Sequence, residues 1–371
     1  MAWWRGSCDG DEVCVQRLSQ CQVIRAKIIR PLSHSNDQRR RALPTVVINT
    51  KEPVQDAERY GKLLEENGFE VQVAKDTRFR FGLTSDQELM DLLQGVSAVV
   101  AGSTPYTAKV LQNLPDLRVI ARTGVGFDKI DIATATANQI VVTITPNSNY
   151  EAVAEHAMAL IFAIAKSVVS VDKSIRSGHW PNSPKKPIRD SILGIVGLGR
   201  IGKSLAVRAQ AMKMQVIAAE SVPDDAFVEE HSIELVSLAS LFERADYISL
   251  HCPLTDETRG MINNEALALM KADVSIVNTA RGGLIVEADL VHALKSGRIA
   301  NAGLDVFEQE PTLEDNPLYE LDNVILSPHV AGSDYLSRQA MGIEAANCII
   351  DLATGRWPDG AVVNAELKEK W

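Results

Sequence analysis

Three positions far apart in the sequence make one chemical set. They are Arg281 within 278-NTARGG-283, an acid within 308-EQEP-311, and His329 behind Pro328. A guanidinium offers a forked pair of donors to a carboxylate and polarises a neighbouring carbonyl. An imidazole moves a proton near neutral pH. A carboxylate beside that ring orients it and stabilises its protonated form. The set suits the interconversion of a hydroxyl and a carbonyl next to a carboxylate. A positioned acid–base pair contributes ~100- to 10,000-fold to such a step. Either Glu308 or Glu310 could supply the acid, and His251 in 251-HCPL-254 competes with His329 because it also follows an apolar run.

What would accept the hydrogen is read from 194-GIVGLGRIG-202. An apolar run enters Gly197-Leu198-Gly199-Arg200-Ile201-Gly202, and a helical pattern leaves it, with Ile201, Leu205, Ala209 and Met212 on one face. Gly197 allows a tight turn, Gly199 lets backbone N–H groups approach a pyrophosphate, and Gly202 lets helix and strand pack closely. The helix N-terminus adds partial positive charge. The run 215-QVIAAE-220 then ends in Glu220, an acid suited to a ribose 2′-hydroxyl. Its carboxylate would repel a 2′-phosphate, and 221-SVPDDAF-227 carries no basic residue to receive one. NAD is therefore expected over NADP, and hydride transfer to or from a small 2-hydroxy or 2-keto acid is the expected reaction.

These residues need strands that end together. The β-branched runs 45-TVVINT-50, 69-FEVQVA-74, 98-AVVAG-102, 117-LRVIART-123 and 140-IVVTIT-145 read as buried parallel strands. Between them, 85-SDQELMDLLQ-94 predicts a helix opened by a Ser85 cap with Glu88 three residues on. A long helical segment over 150–177 and a proline-rich linker, 178-GHWPNSPKKPIRD-190, lead to six more strands at 192–196, 215–220, 247–252, 274–280, 302–307 and 323–329. A last helix, 335–352, is long enough to cross back. Strand–helix alternation predicts α/β architecture: two doubly wound parallel sheets facing one another across a cleft. Ligands in such sheets sit at the carboxyl ends of strands, where Arg281, Glu310 and His329 fall.

Composition narrows the class. A chain of 371 residues with 46% hydrophobic residues can build two or three cores. Its formal charge of −10 argues against a nucleic-acid partner. The longest apolar run, 157-AMALIFAIA-165, falls short of the ~20 residues of a membrane span. Cys8, Cys14 and Cys21 lack the spacing of a zinc site, so no metal is expected. No export signal precedes them, and reduced thiols in the cytoplasm are expected. Residues 1–43 have no usable period and read as a poorly ordered extension.

The runs 194-GIVGLGRIG-202, 251-HCPLTDETRGMI-262, 278-NTARGGLIVEADL-290, 303-GLDVFEQEP-311 and 323-NVILSPHVAGS-333 stand in order. Over about residues 45–355 the sequence resembles the D-isomer-specific 2-hydroxyacid dehydrogenase family, in its phosphoglycerate dehydrogenase-like branch. The resemblance implies a Rossmann NAD domain (149–330, with a crossover and dimerisation helix) inserted in a flavodoxin-like substrate domain (44–148 with 331–360). It puts the catalytic roles on Arg281, Glu310 rather than Glu308, and His329. It assigns the pyrophosphate to Arg200 and Ile201, the adenine side to Cys252, Pro253 and Thr258, and the nicotinamide side to Thr279, Ala280 and Asp305. Gly332 falls near His329, and Thr104 matches a cofactor contact. Ser103, Gly124, Val125 and Gly126 match the substrate site. The implied assembly is a homodimer through the 150–177 region. Ala101 stands where some phosphoglycerate dehydrogenases carry an arginine. Hydroxypyruvate or glyoxylate reduction is the alternative activity. A dinucleotide-sensing corepressor-like scaffold is the alternative of another class.

Overall fold

Short β-branched runs form the strands of two separate parallel sheets in the computed structural model, which describes residues 44–50, 54–76, 78–79 and 82–371. The expectations for residues 1–43, Cys8, Cys14 and Cys21 among them, lie outside the described residues. The first sheet comprises β1 (Thr45–Asn49), β2 (Glu70–Val73), β3 (Ala98–Ala101), β4 (Val119–Arg122) and β5 (Val141–Thr143). Its order is β2-β1-β3-β4-β5 with every pairing parallel, the flavodoxin-like order. All four residues of β3 are buried, because helices cover both faces; such strands read as unbroken apolar runs. Helix Asp86–Leu93 opens with the expected reciprocal cap: the Ser85 N–H donates to the Glu88 carboxylate at 2.8 Å, and the Glu88 N–H donates to the Ser85 hydroxyl at 3.3 Å.

The second sheet holds seven strands, one more than expected: β6 (Ile192–Val196), β7 (Gln215–Ala219), β8 (Glu234–Leu235), β9 (Tyr247–Leu250), β10 (Ser275–Asn278), β11 (Asn301–Leu304) and β12 (Val324–Leu326). The order β12-β11-β10-β9-β6-β7-β8 reverses direction between β6 and β9, which opens a crevice at their carboxyl ends. The additional strand, β8, is an exposed two-residue edge, too short to show a period.

The expected helical segment over 150–177 is two helices, Tyr150–Ala165 and Val168–Arg176, bent by 55°. Ser167 between them takes a left-handed φ of 51°. The first helix buries Ala157, Leu160, Ile161 and Ile164 against Leu193, Ile195 and Val277 of the second sheet. Helix Tyr335–Ala353 returns to the first sheet, packing Ala345, Ala346 and Ile349 with Val46, Val100 and Ala121. Helix Arg200–Ala211 buries Leu205 and Ala209 as expected, but Met212 caps the last turn and is 43% exposed. Among the described residues no single helix is long and apolar enough to cross a membrane, and no cluster of three metal-ligating side chains occurs.

Candidate active site

The glycine turn at the end of β6 divides its work among three residues. Gly197 has φ +94°, and a Cβ there would lie 2.7 Å from the Cys252 backbone nitrogen. A Cβ on Gly202 would fall 2.2 Å from the Gly197 carbonyl oxygen, so helix and strand meet only because it is absent. A Cβ on Gly199 would meet nothing within 4 Å. Gly199 and Arg200 face outward, on the side where a phosphate could approach the helix N-terminus. Glu220 follows β7 and accepts the N–H groups of Leu198 (2.6 Å) and Val222 (3.0 Å). Burial alone would raise the Glu220 carboxyl, but the amides of Val222, Leu198 and Ser221 outweigh it and hold the group below its ordinary value.

A cavity of about 320 Å³ lies between the two sheets, with Ile201 of this turn on its wall. Ile201, Cys252, Pro253, Thr279, Ala280, Arg281, Asp305, His329 and Gly332 line it, and Ser103, Gly124, Val125 and Gly126 close it from the first sheet. Three of its lining residues carry a buried polar atom with no partner among the described residues: His251 Nδ1, Thr279 Oγ1 and Asn149 Oδ1. Buried polar atoms are normally paired, so three orphans around one cavity mark groups awaiting a polar ligand. With Gly199 open on its outer side, this donor and acceptor set fits a dinucleotide.

Arg281 and His329 line both this cavity and an adjoining one of about 500 Å³, which Glu310 and Thr104 also line. The His329 Nδ1 lies 2.7 Å from Glu310 Oε2, while Glu310 Oε1 accepts the Phe307 N–H at 3.1 Å. Glu308 instead offers its backbone N–H to Glu287, so Glu310 is the partner of the histidine. Burial would raise the Glu310 carboxyl; the hydrogen bond and charge of His329 prevail and lower it. His251, the rival, has no carboxylate: its Nε2 pairs with Ser249 Oγ at 2.8 Å, and burial pushes its pKa down to about 3. It stays neutral at any physiological pH, and it lacks the carboxylate partner that His329 has.

The Arg281 guanidinium donates through Nε to Asp128 Oδ1 at 2.7 Å and through Nη1 to its neighbour's carbonyl, Ala280, at 2.5 Å. Its Nη2 lies directly over Gly126. The Gly124 N–H is already given to the Thr145 hydroxyl at 2.7 Å. Three expected residues hold structure together. The Thr104 hydroxyl accepts from Asn49 and donates to the Phe79 carbonyl. Thr258 ties the turn to the Pro253 carbonyl at 2.7 Å and lines neither cavity. Asp305, fully buried, spends both oxygens on the loop that follows β12.

Sequence reasoning missed Arg122, Asp128, Asn149 and Arg338, all of which line the first cavity. Arg122 ends β4, so the strand-end rule applied to the first sheet would have found it. Arg338 lies in the first turns of the returning helix, where no strand signal exists.

Residues 158–331 match the family model described as D-isomer specific 2-hydroxyacid dehydrogenase, NAD binding domain. A D-3-phosphoglycerate dehydrogenase of Archaeoglobus fulgidus is 37% identical over 79% of this chain, which spans 55% of that protein's length. A glyoxylate reductase of Korarchaeum cryptofilum is 38% identical over 81% of the chain, which covers 92% of it. The structure of D-lactate dehydrogenase from Aquifex aeolicus complexed with NAD and lactic acid superposes with a TM-score of 0.76 at 28% identity, covering 86% of this chain and 98% of that one. The chain belongs to the D-isomer-specific 2-hydroxyacid dehydrogenase family.

Proposed function

We propose that the protein interconverts a small D-2-hydroxy acid and its 2-keto acid with NAD, in the manner of a phosphoglycerate dehydrogenase. The observation that carries this reading is the His329–Glu310 pair, 2.7 Å apart, with His329 and Arg281 lining a cavity that Ile201 of the glycine turn also lines. Bound NAD supplies the hydride acceptor or donor at its nicotinamide ring. Glu220 and the amides after Gly199 hold the cofactor. Arg281 and the Val125 and Gly126 amides hold the substrate carboxylate. In oxidation His329 takes the hydroxyl proton, and Glu310 steadies the protonated ring; in reduction the proton returns.

Arg122 and Arg338 favour a phosphorylated substrate. Both line the same cavity as Arg281, and the Arg338 guanidinium has no hydrogen bond or ion pair to a described residue. Near-complete coverage of the glyoxylate reductase favours the second reading, reduction of hydroxypyruvate or glyoxylate. NADH oxidation across a panel of 2-keto acids, with and without a terminal phosphate, decides between them. Arg281→Ala abolishes turnover and His329→Ala lowers it by ~100- to 10,000-fold. Intact NADH binding with no turnover on any acid would replace the enzyme with a dinucleotide-sensing scaffold. The protein acts as a homodimer through the 150–177 region, where Val168, Val169 and Ile175 are exposed. The free thiols of Cys252 and Cys348 are in keeping with a reducing, cytoplasmic setting.

A further inference from the structure

Behind the cavity wall a polar chain joins the helix before the second sheet to the loop after its last strand. Asp305 follows β11 and is 0% exposed. Its Oδ1 accepts the Ser327 hydroxyl at 2.6 Å and the Val330 N–H at 3.0 Å; its Oδ2 accepts the Ala331 N–H at 2.8 Å. Its carbonyl accepts the His329 N–H at 2.8 Å. One aspartate therefore grips three consecutive residues, the first of which holds a left-handed φ of 54°. Ser327 has a single proton, and a buried carboxylate is the stronger acceptor for it. The serine oxygen is then an acceptor towards His156 Nε2, 2.9 Å away, so that nitrogen carries hydrogen. The same nitrogen lies 3.6 Å from Asp305 Oδ1.

We propose that His156 and Ser327 are positioning residues for His329. His156 donates to Ser327, Ser327 donates to Asp305, and the carboxylate so fixed holds the amides of Val330 and Ala331. That chain keeps the backbone of His329 in its left-handed turn and its ring against Glu310. The two residues are 171 positions apart and neither lines either cavity, so they bear on the proton-transfer geometry without touching substrate or cofactor. The inference rests on the reading of His329 as the group that moves the proton.

The test uses the full chain and four variants. Ser327→Ala and His156→Leu break the chain; Ser327→Thr keeps the hydroxyl, and His156→Gln keeps a donor at the position of Nε2. The breaking variants lower kcat about 10- to 100-fold, the scale of a misplaced catalytic group, with the dissociation constant for NADH unchanged. The conservative variants recover kcat. Amide hydrogen exchange at Val330 and Ala331 is faster in Ser327→Ala and His156→Leu and normal in the other two. This exchange needs no substrate, so it decides the positioning chain even if the wild type turns over no 2-keto acid. Should Ser327→Ala fail to fold, the partly exposed His156 pair carries the comparison. Unchanged kcat and unchanged exchange in His156→Leu overturn the proposal. So does equal damage in His156→Gln and His156→Leu, since the side chain would then act by its bulk.

Discussion

A methyl group on Gly126 would fall 1.2 Å from Arg281 Nη2, nearer than any other contact of a glycine in the described chain allows. The obstacle is the tip of a flexible side chain, so Gly126→Ala moves the guanidinium and spares the backbone. We expect folding stability within about 0.5 kcal/mol of wild type in urea titration, with kcat/KM for a 2-keto acid down about 100-fold. Loss of stability comparable to a core defect would show that Gly126 serves the fold. Of the histidines, His251 answers to pH through stability. It is held neutral by burial, with a pKa of about 3 against 6.5 in an exposed chain. Below pH 6.5 the unfolded chain binds a proton that the folded one refuses, so stability present above 6.5 is lost as pH falls, at about 1.4 kcal/mol per pH unit. Between pH 7 and 5 that amounts to about 2 kcal/mol, which His251→Gln should remove. Equal acid sensitivity in both proteins would exclude His251 as the cause. The sequence could leave His251 and His329 as rivals because both follow apolar strands; burial depth and the facing carboxylate, which separate them, belong to tertiary structure.

Elements were legible where their chemistry is local. The Gly197–Gly202 spacing announces a turn, an approach surface and a close packing contact; the structure puts the turn at Gly197 and the packing contact at Gly202, and leaves open space over Gly199. The distribution makes a contrast measurable. Gly202→Ala pushes a methyl to 2.2 Å from a backbone oxygen, and neither atom can swing away, so unfolding should become easier by about 1–3 kcal/mol. Gly199→Ala meets nothing in the chain, so it should keep wild-type stability while weakening NADH at least about 10-fold by crowding the phosphate side. Titration of cofactor fluorescence beside thermal unfolding reads both; unaltered NADH affinity in Gly199→Ala would remove the pyrophosphate from this turn. The capping box at Ser85 and Glu88 was equally plain, since its partners are three residues apart. The break at Ser167 was not. Serine rarely marks a left-handed turn, and the apolar pattern runs on through it. Nor can single-sequence periodicity join His156 to Ser327, whose contact exists only after helix and sheet have packed.

At the scale of the molecule, the bend at Ser167 decides what the second helix can do. Tyr150–Ala165 is consumed by the core of the second sheet, but Val168–Arg176 leaves that surface and buries none of its residues within the chain. Val168 is 54% exposed, Val169 41%, Ile175 43%, and Trp180 just beyond it 86%. Apolar side chains gathered on one exposed helix and its linker need a cover, and large exposed patches mark interaction surfaces. In the proposed homodimer a second copy of the chain would provide that cover, at the cost of bringing two acidic molecules together, each with a formal charge of −10. The balance is therefore sensitive to added negative charge. Val169→Glu with Ile175→Glu should convert a species of twice 40.4 kDa into one of 40.4 kDa in sedimentation, and the conversion should be partly reversed by salt, which screens the repulsion. Because the helix packs no core residue, NADH affinity per chain should survive the separation. A wild type that sediments at 40.4 kDa would refute the dimer and leave this face to another partner.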